Sequence, residues 1–320
     1  MEAGAADLSV VGDVSDGARR SVVRIADIEV DDVTFGETVV WIIERATDGR
    51  GGVVSTPNAD AAVRSRKDPV FRAATNAGDL RVPDGMWIVY ASRIAGSPLR
   101  GTVTGRLLVP AVAAASEAAG TPIALFGARP GVAERARASL LGRAPGARIV
   151  DSFGPSMAFE VGSPEDAAAV ERLRRSGARI VFVALGAPKQ EVWMARHRAD
   201  LPGVVLVGVG AAFDLIAGLF REAPGWMTEI GLEWLVRLVQ EPRRLGPRYL
   251  IEDPWIVWWA IRKRAGLRRR IAPERADDDP GAAQDRGDLT LRGSGMAYAC
   301  KRSGHGWHPA VMFVGRTFGA

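Results

Sequence analysis

The carboxylate of Asp84, in Val82-Pro83-Asp84-Gly85, stands first among the side chains placed to do chemistry. It falls where a short apolar run ends, and Pro83 and Gly85 predict a turn that aims it into a cleft. There it suits the general base that takes a proton from an attacking hydroxyl, as substitution at a sugar C1 requires. The same residues also read as a plain Asp-Gly turn whose carboxylate bonds local backbone, the commoner outcome for this spacing. Thr56-Pro57-Asn58 sets a hydroxyl and an amide at another strand end, suited to orienting a sugar or a phosphate. An ordinary helix cap ahead of Asp60 accounts for Thr56 and Asn58 equally well.

Glycine-bearing loops supply a second kind of chemistry, the close approach of backbone N–H groups to a phosphate. Gly127-Ala-Arg-Pro-Gly131 and Thr104-Gly105 are of this sort, although neither completes a Walker A or a Gly-x-Gly-x-x-Gly. Gly186-Ala-Pro-Lys189-Gln190-Glu191 places a lysine at the start of a helix, where the N-terminal dipole and the Lys189 charge favour an anion. A solvated Lys189, with Glu191 only complementing the dipole, is the plainer account. Asp214 follows Phe213 just past a strand, where a carboxylate accepts hydrogen bonds from a ribose or base, or else caps a helix. His197, His305 and His308 are not spaced as a metal cluster, and no Asp-x-Asp falls where a sugar-nucleotide metal site would want it, Asp277 to Asp279 lying in the tail. The sequence therefore predicts no essential metal and no cofactor.

These loops need strands to hold them. Val53 to Ser55, Asp79 to Val82, Pro122 to Phe126, Arg179 to Leu185 and Val204 to Gly208 read as short strands. Helices are predicted from the Thr34 N-cap through Glu44, over Asp60 to Lys67, after Gly131 to about Leu141, and after Gln190. Strand, glycine loop and helix repeated predict an α/β fold, a Rossmann-like, mostly parallel sheet flanked by helices. Ligands of such sheets sit beyond the carboxyl ends of the strands, where the loops above fall.

The 320 residues, 47% hydrophobic, suffice for a substantial core, and the single cysteine, Cys300, excludes a disulfide framework and fits a reducing compartment. The organisation predicted is a loosely ordered leader over 1–27, an α/β core over 28–225, a basic appendage over 226–271 and a mainly disordered tail over 272–320. No signal peptide and no apolar stretch of the roughly 20 residues needed to span a bilayer is found, so a cytoplasmic location is expected. Arg237, Arg243, Arg244, Arg248, Arg262, Lys263, Arg264 and Arg268 to Arg270 face only Glu241, Glu252 and Asp253 along the same stretch. Trp226, Trp234, Trp255, Trp258 and Trp259 are interleaved with them, a combination favoured at an anionic membrane surface. No nucleic-acid-reading module is evident, so no nucleic acid partner is expected.

Taken in order, Thr56-Pro57-Asn58, Pro83-Asp84-Gly85, Val103-Thr104-Gly105, Gly186 to Glu191, Gly208 to Asp214, and Gly231 through Gln240 to Tyr249 resemble the WecG/TagA/CpsF glycosyltransferases, family 26. The resemblance runs from about Val53 to Leu250. It implies a metal-independent, inverting transferase that uses a UDP-sugar and a polyprenyl-diphosphate-linked sugar acceptor. Wall teichoic acid members transfer N-acetylmannosamine, others N-acetylmannosaminuronic acid, and others make capsule or exopolysaccharide. It further implies Asp84 as base, with Thr56 and Gln190 lining its pocket. Asn58, Thr104, Gly105, Gly127, Gly186, Lys189 and Asp214 then fall at the substrates. A C-terminal appendage bearing Arg237, Arg243, Arg244 and Arg248 would complete the site and dock on the inner face of the membrane.

Thr102 stands where the family often has arginine, Leu107 where it has aspartate, and Glu222 where arginine is usual. The first two motivate an alternative of another class, a non-catalytic member that binds a nucleotide sugar or a lipid diphosphate; Arg100 and Arg106 are the nearby cations that would compensate. A nicotinamide oxidoreductase is disfavoured, since no full dinucleotide fingerprint follows any strand. Homo-oligomer formation is left open.

Overall fold

The computed structural model describes residues 20–220, 227, 233–240, 242–247, 254–271, 290–293, 296–303 and 306–311. The chain divides into two compact units, Met1–Arg270 and Ile271–Ala320. In the first, a six-stranded sheet has the order β4-β3-β8-β7-β5-β6, and every pairing within it is parallel. Its strands are β3 (Gly52–Ser55), β4 (Leu80–Arg81), β5 (Ile123–Gly127), β6 (Ile149–Phe153), β7 (Ile180–Ala184) and β8 (Val205–Gly208). The α/β architecture is as expected, with β6 an addition. Its Asp151 and Ser152 interrupt the apolar run that marks the central strands, which suits an edge position.

Alternation along the strands divides the core. Val54, Leu125, Phe182 and Val207 lie on one face, packed with residues of α1 (Phe35–Thr47), α5 (Gly105–Ala119), α6 (Val132–Arg143) and α9 (Ala212–Ile216). Val53, Ala124, Phe126, Val181, Val183 and Leu206 lie on the other, against α7 (Pro164–Ser176) and α8 (Lys189–His197). With both faces covered, only the strand ends remain open for polar chemistry.

Local signals explain the helix boundaries. Thr34 and Glu37 form a reciprocal capping box at the start of α1, with bonds of 3.2 and 2.7 Å. Ser163 caps α7, Pro164 occupies its first turn, and Gly177 closes it in the left-handed conformation.

The leader expected over 1–27 gives way to structure within that range. Strands β1 (Val22–Ile25) and β2 (Ile28–Asp31) form an antiparallel hairpin whose Val23, Ile25, Ile28 and Val30 are buried. They pack with residues of α2 (Ala59–Arg64), α3 (Pro69–Asn76) and α4 (Met86–Ile94). Four-residue strands leave too few alternations to stand out from a polar segment. Asp31, 2% exposed, ties the hairpin to the sheet edge by accepting from the Arg81 backbone N–H at 2.8 Å and pairing with its guanidinium at 3.0 Å. A carboxylate thus occupies an edge donor that would otherwise be open to another strand. Residues 1–19 lie outside those described.

Three further helices follow, α10 (Glu233–Gln240), α11 (Pro242–Pro247) and α12 (Pro254–Ile271). Within the range expected to form a surface appendage, Ile256 and Ala260 of α12 are buried in the hairpin's core. No helix among the described residues is long and apolar enough to cross a membrane. In the second unit, β9 (Thr290–Gly293), β10 (Met296–Ser303) and β11 (Gly306–Val311) form an antiparallel sheet, β10 central. The sequence reading of 272–320 as mainly disordered contained no strand here. The pairings run to Gly293–Met296 and Ser303–Gly306, and Gly-rich sequence around the strands hides their period. Residues 272–289 and 312–320 lie outside those described.

Helix α8 is pinned at its far end by a buried polar cluster. Asp166, 1% exposed, accepts from Trp193 Nε1 at 2.6 Å and from the Gly162 N–H at 2.6 Å, and meets His197 Nε2 at 2.9 Å. His197 Nδ1 lies 2.8 Å from Asp200. Burial alone would raise the Asp166 pKa, but the Gly162, His197 and Trp193 contacts outweigh it and hold the carboxyl below its usual range. A depressed folded value contributes stability that is present above the unfolded value and lost as pH falls through the folded one. Asp166→Asn should therefore cost about 3 kcal/mol at neutral pH in urea unfolding. It should also flatten the wild type's loss of stability below about pH 4; an unchanged acid limb would refute this role.

Candidate active site

The loops singled out in the sequence meet at the carboxyl ends of the parallel strands and are joined by backbone hydrogen bonds beyond the sheet. The Val82 N–H donates to Ser55 O at 2.8 Å, Asp84 N–H to Pro57 O at 3.0 Å, and Val103 N–H to Pro83 O at 2.7 Å. The Thr56-Pro57-Asn58, Pro83-Asp84-Gly85 and Val103-Thr104-Gly105 segments are thereby one layer. The layer meets β8 twice. Thr56, 8% exposed, donates its hydroxyl to Gly208 O at 2.9 Å. A Cβ at Gly105 would stand 2.9 Å from Val209 O, so only glycine lets α5 begin this close to β8.

Asp84 is half-buried and precedes Gly85, whose φ of 88° makes the turn into α4. Thr104 sits at the N-cap position of α5 but makes no cap bond, and its buried Oγ1 has no hydrogen-bond partner among the described residues. A buried orphan hydroxyl costs about 1–3 kcal/mol, a cost that a bound polar group would offset. Asn58 is the N-cap of α2, its Oδ1 accepting from Ala61 N–H at 3.1 Å. That is the capping account of this residue.

The next loops belong to β5 and β7. The chain leaves β5 toward β6 on one side and β7 toward β8 on the other, which opens a crevice at their carboxyl ends. Gly127 lies at its floor: a Cβ there would come within 2.6 Å of the Ala184 backbone. Gly186, with φ 74°, turns the chain from β7 toward α8. Gln190, 4% exposed, accepts from Gly210 N–H at 3.0 Å and donates to Glu191 at 2.8 Å. Its amide thus fixes the loop after β8 against the start of α8.

The Lys189 ammonium donates one of its hydrogens to Phe159 O at 2.7 Å and lies 5.7 Å from the Phe159 ring centroid. Asp214 lies in the first turn of α9, and its carboxylate is 3.5 Å from the guanidinium of the exposed Arg129. Arg129, within the Gly127 to Gly131 loop, is a cation that the sequence reading passed over; its signal was a basic residue inside a phosphate-type loop. Arg100 is engaged elsewhere, paired with Glu37 at 2.7 Å and Asp32 at 3.4 Å. Arg106 is half-buried in the first turn of α5. Arg243 is exposed on α11, whereas Arg248 and the side chains of Arg237 and Arg244 lie outside the described residues, as does Glu222.

Profile comparison matches residues 23–270 to the Glycosyl transferase WecG/TagA/CpsF family. The chain is 28% identical over 195 residues, 61% of its own length, to an N-acetylglucosaminyldiphosphoundecaprenol N-acetyl-beta-D-mannosaminyltransferase of Bacillus subtilis (strain 168), covering 73% of it. A protein of the same name from Bacillus spizizenii (strain ATCC 23059 / NRRL B-14472 / W23) is likewise 28% identical, over 74% of its length.

Glu191 is the buried acid of this region. It is 5% exposed, its Oε2 has no partner among the described residues, and burial raises its pKa against the opposing pull of Gln190, its own backbone N–H and Arg64. A raised folded value contributes stability that is complete below the unfolded pKa and lost as pH rises through the folded one. Glu191→Gln should match wild type in melting temperature near about pH 4.5 and exceed it increasingly toward about pH 8. A difference independent of pH would mean that burial does not shift Glu191 from its unfolded value.

Proposed function

Because the chain belongs to the WecG/TagA/CpsF family of glycosyltransferases, we propose that it transfers a sugar from a UDP-sugar to a polyprenyl-diphosphate-linked acceptor. The acceptor class follows the two relatives, whose names specify an N-acetylglucosaminyldiphosphoundecaprenol acceptor and transfer of an N-acetylmannosaminyl group. The observation that carries the reading is the single layer formed by the Thr56, Asp84 and Thr104 segments and its junction with β8.

Asp84 takes the proton from the acceptor hydroxyl as its oxygen attacks the donor sugar C1 in line. The bond from C1 to the diphosphate oxygen breaks, UDP leaves with the electron pair, and the configuration at C1 inverts. Backbone N–H groups at the starts of α5, α6 and α8 stabilise the charge that develops on the leaving diphosphate, and no metal is required. Arg106 and Arg129 are the cations at these loops. Thr104 offers the substrates its hydroxyl, Asp214 meets the nucleoside, and Thr56 and Gln190 line the walls, each held by a bond to the backbone after β8. Arg237, Arg243, Arg244 and Arg248 meet the acceptor diphosphate, and the basic C-terminal helices dock the enzyme on the inner face of the cytoplasmic membrane.

UDP release should appear with one donor from a panel of UDP-sugars, depend on a short-chain prenyl-diphosphate-linked N-acetylglucosamine, and persist in EDTA. Asp84→Asn should lower kcat roughly 10²–10⁴-fold with an unchanged melting temperature. Near-normal turnover in that variant would remove Asp84 as base. Binding of a UDP-sugar without turnover in the wild type would favour the non-catalytic reading that the Thr102 and Leu107 departures motivate.

A further inference from the structure

Apart from the carboxyl-end loops, the first unit contains a cavity of about 510 Å3, within the roughly 300–1,000 Å3 typical of small-ligand sites. It lies between β1, α4 and α12, and no residue of the candidate active site lines it. Four of its lining residues are cationic, Arg24, Arg66, Arg262 and Lys263, and none is acidic. The guanidinium of Arg66 lies 4.9 Å from the ring of Trp259, and that of Arg262 lies 4.7 Å from Trp258. Stacked in this way, each presents its N–H edge rather than its face to an incoming anion. Arg66 also has Asp27 at 3.6 Å, which neutralises only part of the set.

Lys263 donates to the backbone carbonyl of Arg24 at 2.7 Å, and burial, followed by repulsion from Arg24, lowers its pKa. An anion between these groups would relieve that repulsion. The rim is apolar. Trp255, Trp258 and Ile261 are 51%, 44% and 54% exposed on α12, and the two indoles meet edge to face at 5.6 Å. Exposed indoles beside a cluster of cations match the headgroup layer of a bilayer, rings among the glycerol backbones and cations at the phosphates. A free polar anion has no use for such a rim.

We propose that this cavity binds the phosphate-bearing headgroup of one anionic glycerophospholipid, with Trp255, Trp258 and Ile261 entering the surrounding lipid. The proposal rests on the membrane-docked transferase reading and gives the docking a stoichiometric site, separate from the one that takes the acceptor. It orients the catalytic unit on the bilayer through the hairpin and α12, whose Ile256 is buried in the same core.

Titration calorimetry of the full chain with monomeric dihexanoyl phosphatidylglycerol should show one saturable site. Dihexanoyl phosphatidylcholine should give none, and inorganic phosphate should bind at least tenfold more weakly. Arg24→Gln with Arg262→Gln, both exposed side chains, should weaken the lipid at least tenfold without altering the melting temperature. Arg135→Gln with Arg137→Gln, on α6, should leave it unchanged. Turnover with a water-soluble acceptor should persist in the cavity variant and fall only with acceptor in phosphatidylglycerol vesicles.

Equal binding of phosphatidylcholine or phosphate, no saturation, or indifference to the cavity variant would each overturn the site. If wild type and variant then sediment equally with phosphatidylglycerol vesicles, the docking reading stands and only this site falls. If neither binds monomer or vesicle, the docking reading falls too.

Discussion

The hydrogen bond from Thr56 to the carbonyl of Gly208 closes the seam between β3 and β8 at the point where the sheet ends. Strand pairing there stops at Val54 and Val207, and beyond it the backbone groups of both strands need other partners. Thr56 meets one of them, and the bonds from Val82, Asp84 and Val103 carry the ladder on into the loops. Because both sheet faces are buried in apolar residues, this rim is where a half-buried carboxylate such as Asp84 is tolerated beside backbone that is already satisfied. The close contact of Gly105 with Val209 follows from the same geometry, since α5 must start against β8 to cover the sheet.

Helix α8 is held from both directions. Its C-terminal His197 and its buried Trp193 are bound to Asp166 of α7, and at its N-terminus Gln190 bonds the backbone of Gly210. Fixing both ends removes the freedom of the β7 and β8 loops relative to each other, the loops that a nucleotide would have to separate or fit between. Glu191 is buried as a consequence: the third residue of a helix lying flat on the sheet has no route to solvent, and its carboxyl is driven toward the neutral form. The family match over residues 23–270 takes in all of these loops and both ends of α8.

Charge in the first unit is divided between two places. The carboxyl-end loops combine helix starts with Asp84, Asp214 and Arg129, whereas the cavity beside the hairpin is cationic and rimmed with indole. The cavity depends on the hairpin, which gives α12 a surface for Ile256 and Ala260, and which Arg81 and Asp31 attach to the edge of the sheet.

The sequence by itself determined the α/β class, five of the six parallel strands and the identity of the loops, because buried strands are short apolar runs and a glycine or a proline marks the turn that follows each. It also carried the family, through an ordered set of short blocks that lies within the matched residues 23–270. The hairpin, β6 and the strands after residue 290 were not legible, being short or polar, so that their periodicity does not rise above their surroundings. Individual side chains were the least legible. Asn58 and Lys189 are expected at the substrates, and spacing does not reveal that Asn58 also caps α2 or that Lys189 also bonds the carbonyl of Phe159. Only the tertiary structure decided these roles, and it alone assembled the cavity from Arg24, Arg66 and Arg262. A polar side chain takes the partner that folding brings within about 3 Å, and that partner lies anywhere in the chain.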